Sequence, residues 1–161
     1  AVEVVAQNDR VHFVIAGHQK AGLMAELSAQ IDHLEVSGHI HFLGFQDDSA
    51  DMLGQMNNFL LCSSTEGFSI STIEAMATGL PVLVTRCGGP QEIVEHNKTG
   101  WMVEVGEPSA LAEGLLALLE NGALAERLAV AGQEHVNKVF SVNIMVEAYR
   151  RVYCKLLNLS A

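Results

Sequence analysis

Short, continuously apolar runs alternate along this chain with longer stretches whose apolar residues recur every three or four positions. Val11 to Ala16 is such a run, ends at Gly17 and predicts a buried strand. From about Lys20 to Val36, Leu23, Leu27, Ile31 and Leu34 follow a helical period. His39 to Phe45 predicts a second strand, Ser49 to Met56 a short helix, and Asn58 to Cys62 a third strand. Ile70 to Thr78 places Ile73, Met76, Ala77 and Leu80 on one stripe, and Gly79 stops that helix. Pro81 to Thr85 is the fourth strand, its proline standing at the first position, where no ladder donor is required. Trp101 to Val103 predicts a shorter fifth.

The rest is helical. Pro108 suits a first turn, with Leu111, Leu115, Leu118 and Leu119 forming an inward face. Asn121-Gly122 breaks that helix, and another runs from about Ala123 to Val139. Ser141 caps a last one carrying Met145, Ala148, Tyr149, Val152 and Leu156 on one stripe. The apolar stripes of these last helices predict core. Continuous apolar strands separated by helices indicate an α/β fold, a Rossmann-like parallel sheet with helices on both faces. At 161 residues the expectation is one domain spanning 1–161. Ligands of such sheets sit beyond the carboxyl ends of the strands, which points to the loops starting at Gly17, Phe45, Ser63 and Cys87.

A net charge of −10 argues against a nucleic-acid surface, because phosphate backbones call for clustered Lys and Arg. It leaves room for one small anion, which backbone N–H groups at a helix start can hold. Cys62, Cys87 and Cys154 are far apart and odd in number, so they read as reduced thiols of a cytoplasmic protein. His39 and His41 would share a strand face but lack a third ligand at motif spacing, so no metal site is expected. No run of about eighteen apolar residues is present, which predicts a soluble chain.

The segment from Ser63 to Val82 carries the chemistry. It places a carboxylate, Glu66, on a strand-end loop, then a small turn residue, Gly67, then hydroxyls where a helix begins. Unpaired N–H groups and the positive dipole end of such a helix suit a diphosphate. Glu66 would face whatever the diphosphate carries, and Glu74 could accept hydrogen bonds from a vicinal diol such as a ribose. From spacing alone, Ser71-Thr72-Ile73-Glu74 also fits a capping box, with Glu74 reaching back to the Ser71 N–H. Gly88-Gly89 fits either a plain turn or a loop passing close to the ligand.

This segment resembles the signature of the retaining glycosyltransferases of family four. There, two glutamates are separated by seven residues, and the second is followed by a small-residue helix ending Gly-X-Pro. Glu66 and Glu74 have that spacing, and Gly79-Leu80-Pro81 that ending. Cys87 to Val94, Asn97 to Gly100 and Pro108 to Ala112 resemble the family's next loops and helix start. The match runs from about Arg10 to the end.

The resemblance implies the donor-binding, C-terminal half of a GT-B architecture, acting on a nucleotide-sugar. It implies that Glu66 acts on the donor sugar, Glu74 on the ribose, and the N–H groups of Phe68, Ser69, Ile70 and Ser71 on sugar and phosphate oxygens. Gly67 would belong to the same donor site, Phe45 and Gln46 would contact the base, and Gly17 would border the site. It implies retention of configuration without a cofactor or metal. The acceptor, a saccharide, lipid or other small molecule, would come through an N-terminal domain, with peripheral membrane association possible for the whole enzyme.

Two departures stand out. Only Ala1 to Arg10 precede Val11, where the family has another strand and a loop whose Arg and Lys neutralise the diphosphate. The acceptor domain is absent as well, so the fragment alone is expected to be inactive. In the family's order the absent strand lies between Val11–Ala16 and Asn58–Cys62. Those two strands are therefore expected either to pair directly or to have their slot filled by another segment, from a second copy of the chain or an N-terminal stretch. A non-catalytic nucleotide-binding module and a nucleotide-sugar epimerase-like domain are the alternative readings.

Overall fold

A computed structural model describes residues 1–158. In chain order the elements are α1 (Val2–Val5), β1 (Phe13–Ala16), α2 (Ala21–His33), β2 (Ile40–Gly44), α3 (Ser49–Leu53) and β3 (Phe59–Leu61). They continue with α4 (Ile70–Ala77), β4 (Val82–Thr85), α5 (Pro90–Ile93), β5 (Trp101–Val103), α6 (Pro108–Glu120), α7 (Gly122–Val139) and α8 (Val142–Leu156). A 3-10 turn, Ser37–His39, precedes β2, and with α5 it is an element the apolar pattern did not announce. Both are a turn or less in length, too short to show a period.

All pairing between these strands is parallel, in two sheets: β1 with β2, and β3–β4–β5 in that order. Among the described residues no ladder joins β1 to β3, so direct pairing does not occur.

β4 organises the interior. Its four residues are all buried, and their alternation serves both faces. Val82 and Val84 pack with Ala75 and Met76 of α4, Ile93, Met102 and Val136 of α7. Leu83 points the other way, to Val4 of α1, Val103, and Ala112, Leu115 and Leu116 of α6. Each fully buried aliphatic side chain here contributes about 1.5–3 kcal/mol. The helix stop expected at Gly79 forms as read. With Gly79 at φ 81°, the Leu80 N–H reaches the Ala75 carbonyl and the Gly79 N–H the Met76 carbonyl, a Schellman arrangement.

Two burial expectations are overturned. The first strand is not buried: Val14 is 37% and Ile15 46% exposed. β1 pairs with β2 alone, and α2, which follows β1, has no buried residue of its own, so little surface is available to cover these strands. The stripe of α8 is not core either, for Tyr149 is 59% and Leu156 72% exposed. Periodicity specifies which face of a helix is apolar, but it does not supply the surface that covers it. Polar contacts on α8 are internal: hydrogen bonds from Arg150 and Arg151 pull the Glu147 carboxyl down to about 2. Replacing Tyr149 and Val152 together by serine is accordingly expected to change stability by no more than about 0.5 kcal/mol, the range for exposed positions. The urea midpoint measures it, and a fall typical of core substitutions would mean that this face is packed.

Candidate functional site

Glu66 leaves β3 on a loop pinned from beneath. The hydroxyl of buried Thr85, at the end of β4, donates to the Ser63 carbonyl at 2.6 Å. The Ser63 hydroxyl in turn donates to Glu66 Oε1 at 3.3 Å, and the Glu66 N–H donates to the Cys87 carbonyl at 2.9 Å. The half-buried carboxylate pairs with no cation among the described residues, so its remaining lone pairs are open to donors.

The loop after β4 lies directly on this one. Gly88 and Glu66 form a parallel bridge, and a Cβ on Gly88, at φ 112°, would come 2.7 Å from the Glu66 carbonyl. A Cβ on Gly89 would overlap the Gly67 carbonyl and come 2.6 Å from the Phe68 Cα. The glycine pair is therefore a close-approach device rather than a plain turn. Gly67 itself has open space around it, so what matters there is its carbonyl, against which Gly89 packs.

α4 begins at Ile70, with Ser69 as its N-cap residue in left-handed conformation, φ 62° and ψ 66°. Such a conformation is strained for a non-glycine residue by about 1–3 kcal/mol. Ser69 is buried, and its hydroxyl meets that of Thr72 at 2.8 Å instead of capping the helix. Among the described residues no side chain caps the first N–H groups of α4, and Phe68, Ile70 and Ser71 are exposed around them. The capping box at Ser71–Glu74 does not form, because the helix starts before Ser71 and puts Ser71 inside its first turn. Glu74 turns elsewhere: its Oε2 accepts a hydrogen bond from Ser49 of α3 at 3.0 Å.

β1 and β2 end alike. Gly17 (φ 143°) and Gly44 (φ 71°) each turn the chain with positive φ, and the Gly17 N–H donates to the Gly44 carbonyl at 2.8 Å. The next residues, His18 and Phe45, stack with ring centroids 4.6 Å apart and planes 14° from parallel. Phe45 is 58% exposed. Gln46 folds back, its amide donating to the Leu43 carbonyl at 3.0 Å. From Phe45 the loop runs through Asp48, which caps α3, to Ser49 and so to Glu74.

Glu66, Gly67, Phe68 and the start of α4 are thus brought together with Gly88 and Gly89, while Gly17, Phe45 and Gln46 form a second group tied to Glu74 through α3. Of the cations that follow strands, Arg86 after β4 pairs with Glu104 at 3.0 Å, and Lys20, shortly after β1, is exposed. His39 and His41 gather with His12, whose Nδ1 lies 2.9 Å from His41 Nε2, while His39 Nδ1 meets the Val11 carbonyl. A shallow hollow bounded by Asn57, Gly79, Pro81 and Gln133 lies at the opposite ends of β3 and β4 and gathers none of these groups. Sequence reasoning missed Ser49, Ser63, Thr85 and His18. Ser63 stands in the quoted motif and Ser49 beside the Asp48 cap, but no spacing rule announces a partner 25 residues away.

A parallel α/β unit with two anchored glutamates and an uncapped helix start at its strand ends belongs to the class of Rossmann-like ligand-binding folds, here of the GT-B kind. The chain belongs to the glycosyl transferases group 1 family, which matches residues 1–135. It is 32% identical over 127 residues to N-acetyl-alpha-D-glucosaminyl L-malate synthase of Bacillus anthracis, covering 79% of this chain and 33% of that protein. The chain spans about a third of the length of the curated relatives it matches. Among solved structures it resembles Anabaena Alr3699/HepE in complex with UDP, with a TM-score of 0.87 and 26% identity over 98% of this chain and 44% of that one. The C-terminal domain of the group 1 protein LpcC from Francisella tularensis shares the fold, with a TM-score of 0.79 at 23% identity over 88% of this chain and 76% of that one.

Proposed function

We propose that this chain is the donor-nucleotide-binding, C-terminal half of a retaining glycosyltransferase that moves a sugar from a nucleotide-sugar to an acceptor. The observation that carries the reading is the pair of glutamates. Each is held through one oxygen by a serine and keeps lone pairs free, Glu66 on the loop after β3 and Glu74 a turn into α4, whose start is uncapped. Glu66 accepts hydrogen bonds from hydroxyls of the donor sugar, and Glu74 from the ribose diol. The N–H groups from Phe68 to Ser71, with the α4 dipole behind them, hold sugar and phosphate oxygens. They stabilise charge that grows on the leaving diphosphate as the bond to the sugar breaks. Phe45, exposed and stacked on His18, takes the base with the Gln46 backbone, and Gly17 borders that group. No step calls on a metal or a cofactor. The UDP bound by HepE, which has this fold, supports the ligand class. The acceptor, a saccharide, lipid or other small molecule, is met by the remainder of the enzyme, which works in the cytoplasm, at the membrane surface where the acceptor is a lipid.

Calorimetric titration of the chain with UDP, UMP and uridine tests the ligand class. With Arg86 already paired to Glu104, UDP is expected to bind with a Kd of about 1 mM and UMP more weakly. Equal affinity for UDP and uridine would rule out a phosphate site at the start of α4.

A further inference from the structure

Glu74 has one side-chain partner among the described residues, the Ser49 hydroxyl, and the residues flanking Ser49 supply no counter-charge: Asp47, Asp48 and Asp51 are all acidic. A carboxylate on a helix face has several rotamers open to it, and unaided it would turn away from its acidic neighbours. The 3.0 Å bond from Ser49 removes that freedom while occupying one of about four lone-pair sites. It also joins two separate stretches of chain. Ser49 opens α3 directly after the Phe45–Asp48 loop, whose register Asp48 fixes by accepting the Asp51 N–H at 3.1 Å. Glu74 lies in α4 after β3.

We infer that Ser49 is a positioning residue for the nucleoside: it orients the Glu74 carboxylate toward the ribose diol and locks it to the loop that takes the base. The inference rests on the reading of Glu74 as the ribose acceptor. It goes further by assigning selection of a ribonucleotide over its 2′-deoxy counterpart to the Ser49–Glu74 pair rather than to Glu74 alone. Ser49 does not touch the reacting atoms. Its removal acts on affinity and on the ribose preference, not on the sugar end of the site.

UDP and 2′-deoxy-UDP are titrated into the full chain as wild type, Ser49→Ala, Ser49→Thr and Glu74→Ala, with melting temperature recorded for each. Ser49→Ala is expected to weaken UDP by about three- to tenfold, the weight of a typical hydrogen bond, because the lost bond acts on the nucleotide only through the carboxylate it orients. 2′-Deoxy-UDP is expected to weaken less, so the preference for ribose shrinks. Ser49→Thr, which keeps the hydroxyl, restores both. A purely structural role for Ser49 would weaken the two nucleotides equally, and that result overturns the inference. So does loss of the ribose preference in Glu74→Ala with none in Ser49→Ala. If Glu74→Ala leaves both affinities unchanged, or the wild-type chain binds neither nucleotide, the functional reading itself fails and the inference with it.

Discussion

Gly89→Ala is expected to destabilise the chain by about 3 kcal/mol, the upper end for inserting an atom into a packed interior, and to abolish UDP binding. The reason is the character of the obstacle. The new Cβ would overlap the Gly67 carbonyl and come 2.6 Å from the Phe68 Cα, and neither is the flexible end of a side chain. One loop must move off the other, and the loop that moves carries Glu66 and leads into α4. The Gly89 N–H to Glu66 carbonyl contact at 3.4 Å opens at the same time. Gly22→Ala is the control, a helical glycine with nothing near the position of its missing Cβ. It is expected to raise stability by up to about 1 kcal/mol from helix propensity alone. Urea midpoints and UDP titration of the two variants measure the contrast. A Gly89→Ala chain as stable as wild type, with UDP binding intact, would show that the two loops are not in close apposition.

The two glutamates should separate by the step they affect. In the intact transferase, Glu66→Ala is expected to lower turnover at saturating donor by at least about 100-fold, the scale set by removing one preorganised partner of a transition state. Affinity for UDP should stay close to wild type, because the partner proposed for Glu66 is the sugar that has left. Glu74→Ala is expected to weaken UDP by about 1–3 kcal/mol through the unpaired ribose hydroxyls. Steady-state rates and product titrations distinguish the two. If Glu66→Ala weakens UDP as much as Glu74→Ala does, the assignment of one carboxylate to sugar and the other to ribose is wrong. A Glu74→Ala variant that loses only thermal stability would leave Glu74 a structural role through Ser49.

Much of the fold could be read in the order of residues. The run Val82 to Thr85 is apolar throughout save its last residue, and a strand covered on both faces has to be; helices on each side and parallel neighbours follow. Gly79 and the stripe ending at Leu80 marked the end of α4, since both the stop and the period are local properties. Glu66 and Glu74 stood out through spacing and through the strand-loop-helix context around them. Their family is confirmed by a match over residues 1–135.

What the sequence by itself determined, then, was local: the strands, the longer helices, the sheet type, and the side chains that carry charge at the strand ends. Tertiary structure decided the rest. It decided that Val14, Ile15 and the α8 stripe are exposed, because burial needs a partner surface that no period encodes. Ser71 and Glu74 fit a capping box by spacing, but α4 begins at Ile70, and Glu74 found Ser49 across the fold instead. The same holds for Gly88 and Gly89. As a dipeptide they meant only a permissive backbone, and the need for that permissiveness appeared when the loop after β3 was laid against them. Hydrogen bonds and close approaches between residues 20 or more apart depend on where the sheet places two strand ends, and that placement is a property of the packed whole.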